Sequence, residues 1–328
     1  MSVFRVPPEV AGQRLDVFLQ GQLHRTSRTR TQSIVRASAY DATGRKLDPN
    51  DRVRSEQYVL LWRPAWDETP SAAAIGVLYE DDHLLAIDKP PHLPVHPTAR
   101  YHRNTVIKAL QAARPDSEFL SLGHRLDRET SGVMLVTKTR VCDRTLKRQL
   151  EARKGIEKTY VAFTWGVPAV GDGATTFRYV RSVELDPTSP LRVKVRVSDA
   201  AGAPWAATRF AVEEKRRGAD GRVYARVRCE LETGRQHQIR VHLASLGTSV
   251  VGDKLYGPDE RAFARSADGE LTAADIAMLE MDRHALHAAR LQLPHPITGE
   301  PLDLAAPFPA DMADFWARLA PESRAAER

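Results

Sequence analysis

The chain contains few of the residues that form disulfide frameworks and zinc sites. Its 328 residues include only two cysteines, Cys142 and Cys229, which lie far apart and form no Cys-x-x-Cys pair. This spacing supports neither a structural disulfide nor a zinc ligand set. The pair His284-x-x-His287 has no carboxylate or third ligand at a familiar spacing, so we expect no metal site there either.

Long apolar runs and nucleotide-binding signatures are also missing. No run approaches the roughly 20 apolar residues that a membrane helix needs, and the opening residues MSVFR contain no apolar signal core. No Walker loop is present, and no glycine fingerprint opens a strand–helix–strand unit. These absences predict a cytoplasmic protein with no membrane partner and no metal, nucleotide or redox cofactor.

The charge of the chain is concentrated near its beginning. With 42% hydrophobic and 27% charged residues, the composition is that of an ordinary soluble globular protein. The net charge is +6, and residues 1–64 hold 11 Lys and Arg against 6 Asp and Glu, an excess of five. A basic module joined to a nearly neutral remainder favours binding to a polyanion. A solvated basic surface would have the same charge.

Residues 12–60 form the basic module. Apolar spacing predicts two helices, the second carrying Ile34 and Val35, followed by a strand at 58–61. The segments Arg14–Leu19 and Ser27–Ile34 resemble the RNA-binding module of the ribosomal-protein-S-four type. The resemblance implies that arginines of the second helix contact RNA, namely Arg28, Arg30 and Arg36.

The remainder of the chain alternates short β-rich runs with occasional helices. Strands are predicted at 158–165, 192–198, 205–213 and 222–231, and a helix from Thr139 to Ala152. Consecutive strands with few crossover helices predict an α+β fold with a mainly antiparallel, bent sheet and flanking helices. The expected organisation is a small basic α/β module at 1–63, a linker at 64–74, a catalytic domain at 75–315 and a tail at 316–328.

The string His-Arg-Leu-Asp-Arg-Glu-Thr-Ser-Gly at 124–132 is followed at once by an apolar strand at 133–136. Asp127 lies between two arginines, which keep a carboxylate ionised and able to act as a nucleophile. An isolated Arg-x-Asp-Arg would more simply be a surface loop with a local ion pair. The complete string resembles the catalytic motif of RluA-type RNA pseudouridine synthases, in which the aspartate is the catalytic residue.

Further segments resemble motifs of the same family, in the family's order. In that family, the tyrosine after a lysine stacks on the uracil, which corresponds to Tyr160, although a lone strand tyrosine is more often a core residue. The arginine of Gln-Ile-Arg pairs with the catalytic aspartate, which corresponds to Arg240. The matching segments are Val77–Pro90, Glu157–Val161, Glu232–Leu243, Val250–Gly257 and Arg283–Glu300.

The resemblance implies isomerisation of uridine to pseudouridine within RNA. The target base must leave its stack to reach Asp127, and Arg125 is the residue expected to fill the vacated space. Attack of Asp127 at C1′ and deprotonation at C2′ to a glycal both remain open. The substrate expected is large-subunit ribosomal RNA, with transfer RNA as the alternative, and the protein is expected to be a monomer. The expected RNA contacts around the site are His124, Arg125, Arg128, Lys158, Arg235 and Gln236.

Two other function classes fit parts of the sequence. A catalytically idle RNA-binding or ribosome-assembly factor would need only the basic module, but it would have no use for an intact set of Asp127, Tyr160 and Arg240. A hydrolase using Asp127 on a sugar or ester would need a paired carboxylate or a Ser–His nucleophile, and neither is recognisable. The sequence therefore favours the pseudouridine synthase.

Overall fold

The computed structural model describes residues 2–23, 28–62, 74–97, 101, 103–170 and 174–321. The chain divides into two compact units, Met1–Thr69 and Pro70–Arg328. The linker predicted at 64–74 lies, except for residue 74, outside the described residues. Within the described part of the chain, no helix has the length and apolar character needed to cross a membrane.

The first unit is a three-stranded antiparallel sheet with two helices. Its strands pair in the order β1-β3-β2, and its core includes Leu15, Phe18 and Val35. Beside that core, buried Asp16 accepts hydrogen bonds from Arg14, Arg28 and Gln32. The elements are β1 (Ser2–Arg5), a 3-10 helix (Pro8–Val10), α1 (Leu15–Gln22), α2 (Arg28–Ser38), β2 (Ala39–Asp41) and β3 (Tyr58–Leu61).

The second unit contains the remaining strands and helices. The elements up to residue 165 are β4 (Gly76–Glu80), β5 (Leu84–Lys89), α3 (Val106–Ala113), β6 (Ser121–Leu122), β7 (Ser131–Thr137), α4 (Arg140–Ala152) and β8 (Glu157–Trp165). Then follow β9 (Thr176–Val180), β10 (Ser182–Leu185), β11 (Val195–Ser198), β12 (Ala207–Arg217), β13 (Val223–Leu231) and α5 (Gln238–Ser245). The last elements are α6 (Arg261–Asp268), α7 (Ala273–Leu279), β14 (Leu286–Pro294), β15 (Pro301–Ala305), α8 (Ala310–Ala317) and β16 (Ala320–Pro321).

One large sheet organises this unit. Eight strands follow the order β16-β12-β13-β8-β14-β7-β5-β4. Three further strands pair outside this order, β15 with β14, β6 with β7 and β9 with β12. Among the described pairings of this sheet, only β7 with β14 is parallel. The sheet is therefore predominantly antiparallel, and the α+β fold class expected from the sequence is confirmed.

Local sequence explains where the principal elements begin and end. The Thr139 side chain accepts a hydrogen bond from the Cys142 backbone N–H and caps α4, as serine and threonine do at helix N-termini. The strands predicted at 158–165 and 222–231 correspond to β8 and β13. The strand predicted at 192–198 is shorter in the structure, Val195–Ser198, and pairs with β10 in a separate two-stranded sheet.

The tail predicted from residue 316 begins too early. Residue 316 lies inside α8, where the Trp316 ring stacks on Phe163 with 4.5 Å between centroids. Leu319 also packs in the core of the second unit, and β16 pairs with β12. The error has a physical reason, because one aromatic and one leucine in a short polar segment give little periodicity, although together they bury a large apolar area.

The register of three adjacent strands brings distant segments together. In this register Ala288 of β14 is opposite Tyr160 of β8 and also opposite Gly132 of β7. The loop that precedes β7 therefore lies beside Tyr160. Gly132 has φ 111°, and a Cβ atom there would overlap the backbone carbonyl of Ala288. The close approach of β7 and β14 thus requires glycine.

Replacing Gly132 with alanine tests this requirement. We expect Gly132→Ala to lower the free energy of unfolding by about 3 kcal/mol, because it adds steric overlap with Ala288 to an unfavourable φ. The matched control is Gly202→Ala, where φ is +86° but no atom lies within 4 Å of the added Cβ. Its cost should be about 1 kcal/mol. Equal losses in urea unfolding would show that the β7–β14 approach tolerates a side chain.

Candidate active site

Asp127 lies in the loop between β6 and β7, and that loop is bound at both ends. At its start, His124 Nε2 accepts a hydrogen bond from the Leu135 backbone N–H at 3.2 Å. At its end, Thr130 hydrogen-bonds to His284 at 2.8 Å and Ser131 to His287 at 2.9 Å. The two histidines of the His284-x-x-His287 pair therefore fix the end of the loop that carries Asp127.

Buried charges hold the middle of the same loop. Glu129 Oε1 forms an ion pair with Lys254 Nζ at 3.0 Å, and both side chains are more than nine-tenths buried. Lys89 donates to the backbone carbonyl of Arg128 at 3.0 Å. Burial, followed by the charge of Arg283, lowers the pKa of Lys89 to about 7. These contacts leave the loop backbone little freedom to move the Asp127 carboxylate.

Arg240 of α5 joins two carboxylates in the interior. Its Nη1 donates to Asp127 Oδ2 at 2.8 Å, and its Nε and Nη2 donate to the two oxygens of Asp253 at 2.7 and 2.8 Å. Asp253 is completely buried and also accepts the backbone N–H groups of Leu255 and Tyr256. The guanidinium is therefore fixed from behind by Asp253 and presents one N–H to Asp127.

Asp127 is ionised at neutral pH. Burial alone would raise its pKa, but the charges of His237 and Arg240 and the hydrogen bond from Arg240 hold the pKa below its ordinary value. Because burial lowers the pKa of His237 to about 4, that ring is charged only in acid, where Asp127 itself titrates. At pH 7 the ring is neutral, and Arg240 is the cation that acts on Asp127. The carboxylate is thus a fixed anion whose second oxygen, Oδ1, is not bonded to Arg240 and lies 3.8 Å from His237 Nε2.

Tyr160 lies on β8 and lines the same cavity as Asp127. Its side chain is 8% exposed. Burial and the nearby Asp127 charge raise the pKa of its phenol, which therefore stays protonated. The aromatic ring at the floor of the cavity can present a π-face to a flat ring held against Asp127.

A cavity of about 920 Å³ opens over these residues. Its volume is within the range of small-molecule sites, and basic side chains are abundant in its wall. Four of them make no ion pair with any residue of the described ranges. They are Arg125, Arg153, Lys158 and Arg235.

The six residues predicted to bind RNA around the site differ in whether they line the cavity and in whether their charges are available. Arg125, Lys158, Arg235 and Gln236 line the cavity, and Arg125 is exposed. Arg128 is not among the lining residues and donates to Tyr101 and Glu129. His124 lines the cavity, but burial lowers its pKa to about 3, so that ring offers no positive charge. Its contact with Leu135 indicates a role in holding the loop.

The predicted RNA-binding arginines of the first unit lie on α2. Arg28 is half exposed and contacts Asp16 at 3.2 Å. Arg36 is exposed in the last turn of the helix. The backbone of Arg30 belongs to the same helix. RNA binding by the three arginines stays a prediction.

Sequence reasoning missed three residues of this site. Asp253, Tyr256 and His237 all contact the Asp127–Arg240 pair or its neighbours. The available signal for Asp253 and Tyr256 was the run Val250–Gly257, whose resemblance to the family was noted without a role for any of its residues. His237 lies in the matching segment Glu232–Leu243, where only Arg235, Gln236 and Arg240 received roles. Nothing in the sequence around Asp253 indicates that its carboxylate pairs with Arg240, 13 residues earlier.

Comparison with known proteins identifies the family of this chain. Residues 83–245 match the model of a family described as RNA pseudouridylate synthase. A ribosomal large subunit pseudouridine synthase D from Xanthomonas campestris is 34% identical, and the match covers 98% of this chain and 94% of that protein. A ribosomal large subunit pseudouridine synthase C from Escherichia coli K12 is 35% identical, with 94% and 93% covered.

This chain belongs to the RNA pseudouridylate synthase family. Solved structures agree on the fold. Human RNA Pseudouridylate Synthase Domain Containing 1 has a TM-score of 0.59 at 22% identity, covering 78% of this chain and 91% of that one. Human RNA Pseudouridylate Synthase Domain Containing 4 has a TM-score of 0.53 at 25% identity, covering 74% and 92%. The family resemblance inferred from the sequence motifs is therefore confirmed.

The buried position of Asp253 predicts a large loss of stability when its charge is removed. Asp253→Asn leaves the Arg240 guanidinium buried with one carboxylate, so we expect the free energy of unfolding to fall by about 3–5 kcal/mol. The control is Asp303→Asn, which breaks the half-exposed pair with Arg290 and should change stability little. Chemical denaturation of both variants measures the difference, and equal effects would mean that Arg240 does not depend on Asp253.

Proposed function

We propose that this enzyme converts uridine to pseudouridine in large-subunit ribosomal RNA, with Asp127 as the catalytic carboxylate. Membership of the family supplies the reaction, and the names of the full-length relatives, synthases of the ribosomal large subunit, support the substrate. The observation that carries the assignment of Asp127 is its 2.8 Å pair with buried Arg240 beside an open cavity. Action in the cytoplasm as a monomer, and transfer RNA as the alternative substrate, stay predictions.

In this mechanism the target nucleotide leaves its stack and enters the cavity, at a cost of a few kcal/mol. Arg125 is exposed at the cavity wall and takes the place of the base, because its planar guanidinium can stack and can donate to phosphate. Oδ1 of Asp127 meets the ribose, while Arg240 keeps Oδ2 and fixes the rotamer. Either attack at C1′ or removal of the C2′ proton uses this same oxygen.

The uracil must stay bound after its bond to ribose breaks. Tyr160 supports this step, since its buried ring offers a face on which the detached base can rotate. A protonated phenol beside ionised Asp127 does not add a second anion to the site. The ring then joins C1′ through C5, while the Asp127 ester bond breaks or, in the glycal route, Asp127 returns its proton to C2′. C5 then loses its proton and N1 gains one, so that Asp127 is again a free carboxylate.

The charges of the cavity wall support an RNA substrate. Arginines away from the cavity are commonly paired, for example Arg181 with Asp199 and Arg290 with Asp303. By contrast, Arg125, Lys158 and Arg235 have no carboxylate partner among the described residues. Phosphate groups of a bound polynucleotide would supply their counter-charges. The basic first unit, with Arg36 exposed on α2, would add contacts outside the target nucleotide.

Loss of the carboxylate should abolish the reaction. We expect Asp127→Asn to reduce turnover by at least about 1,000-fold, because an amide is neither a nucleophile nor a base. The measurement is tritium release from unmodified ribosomal RNA labelled at uridine C5, with RNA affinity measured in parallel. Arg240→Met should also cripple turnover, because it unpairs Asp127. Retained turnover in Asp127→Asn would contradict the assignment, and absence of release by the wild type would favour an idle RNA-binding factor.

The first unit should contribute affinity without contributing to the chemistry. We expect Arg36→Ala to raise the KM for ribosomal RNA about three- to tenfold and to leave kcat unchanged, since a lost phosphate contact weakens binding only. The slope of log affinity against log salt should fall by about 0.7. Arg290→Ala, at a similarly exposed arginine of the second unit, is the control. An unchanged KM and salt slope would show that α2 does not contact the RNA.

A further inference from the structure

His237 lines the cavity beside Asp127 and has no part in the mechanism above. Its backbone has φ 54° and ψ 20°, a left-handed conformation that residues with a Cβ atom seldom adopt and that recurs at functional sites. Its Nε2 lies 3.8 Å from Asp127 Oδ1, whereas Arg240 binds Oδ2. The imidazole therefore faces the carboxylate oxygen that the mechanism assigns to the substrate.

Hydrogen bonds behind the ring determine which nitrogen carries the proton. The backbone N–H of Val195 donates to Tyr256 Oη at 3.0 Å, and His237 Nδ1 lies 3.0 Å from the same oxygen. The phenol has one proton of its own, and Nδ1 is the acceptor within reach in the described part of the chain. The opposite tautomer would leave this buried phenol proton unsatisfied, at a cost of about 1–3 kcal/mol.

The neutral imidazole thus carries its proton on Nε2, on the side of Asp127. Burial is the largest influence on the ring and lowers the pKa of His237 to about 4. The carboxylates of Asp127 and Asp253 oppose this shift, and the guanidinium groups of Arg240 and Arg125 reinforce it. At neutral pH the ring therefore presents an uncharged N–H donor to the cavity.

We propose that His237 is a further catalytic residue, whose Nε2–H donates a hydrogen bond to a carbonyl oxygen of the uracil ring as that ring leaves the ribose. This inference rests on the proposed function. Breaking the N1–C1′ bond leaves its electron pair on the uracil, and the negative charge spreads over N1 and the carbonyl oxygens. A positioned donor stabilises such a developing charge.

A neutral donor suits the steps that follow. Neutral imidazole is too weak an acid to protonate the ring, so the uracil stays anionic and nucleophilic while it rotates. Its C5 then forms the bond to C1′. In the route through attack at C1′ the Asp127 ester bond breaks, and in the glycal route the proton on Asp127 returns to C2′. The C5 proton passes to water, and N1 takes a proton from water, so the reaction is balanced without another reagent. The argument is the same for attack at C1′ and for the glycal route.

Two amide substitutions distinguish the contribution of Nε2 from that of Nδ1. In His237→Gln the side-chain NH₂ can reach the position of Nε2, whereas in His237→Asn it reaches only the position of Nδ1. We expect His237→Gln to keep kcat within about tenfold of the wild type. His237→Asn and His237→Ala should lower kcat about 10²–10³-fold, with KM little changed.

Single-turnover tritium release at saturating RNA measures these rates, and thermal unfolding checks that the variants are folded. Asparagine accepts a left-handed backbone more readily than glutamine, so a purely structural role would rank the two variants in the opposite order. Equal losses in the glutamine and asparagine variants, or wild-type kcat in His237→Ala, would overturn the proposal.

The tautomer can be measured without any substrate. Long-range ¹⁵N–¹H correlation spectra of histidine-labelled protein identify the protonated nitrogen of His237, whose signals are assigned by their loss in His237→Gln. We expect Nε2–H throughout about pH 6 to 8, and a mixture of tautomers in Tyr256→Phe, which lacks the phenol proton. An Nδ1–H tautomer in the wild type would overturn the proposal even if the enzyme is active. No turnover by the wild type on ribosomal RNA would instead overturn the proposed function and this inference with it.

Discussion

The arrangement of the site depends on one buried cation that two carboxylates share. Arg240 is 5% exposed, and a buried guanidinium needs carboxylates or other acceptors for its charge and its N–H groups. Asp253 supplies two hydrogen bonds and is itself held by backbone N–H groups. Because Asp253 takes two of the N–H groups of Arg240, Asp127 pairs with the guanidinium through Oδ2 and leaves Oδ1 without a bond to it.

The elements that meet at Arg240 are distant in the chain, so the site forms only when the sheet has formed. The Asp127 loop follows β6 and Arg240 belongs to α5. The histidines that hold Thr130 and Ser131 lie 154 and 156 residues later, His284 just before β14 and His287 within it. The register of β8, β14 and β7 sets their separation. On the proposed assignment of Asp127, a rigid carboxylate keeps the alignment on which nucleophilic or basic catalysis depends.

Much of this could be predicted from the sequence, and the limits have physical reasons. Consecutive strand-like runs with few crossover helices predicted the antiparallel α+β fold. The resemblance of two long motifs to a known family predicted the pairing of Asp127 with Arg240. Asp253 and the Val195–Tyr256–His237 chain could not be predicted, since each hydrogen bond depends on the geometry of a turn. His124 and Arg128 were expected to bind RNA, but a basic residue in a motif gives no sign of whether its partner is a phosphate or the protein's own backbone and carboxylates.

Net charge is a poor guide to where the second unit would bind RNA. Five of the six excess positive charges belong to residues 1–64, so the second unit is nearly neutral as a whole. Some of its surface carboxylates nevertheless pair with arginines away from the cavity, for example Asp199 with Arg181 and Asp303 with Arg290. Arg125, Lys158 and Arg235 make no ion pair within the described residues. The cavity lining holds seven arginine and lysine side chains against five aspartate and glutamate side chains, although the unit as a whole has almost no positive charge in excess. On the proposed function, these local charges and not an overall excess would attract a polyanion to the cavity that also contains ionised Asp127.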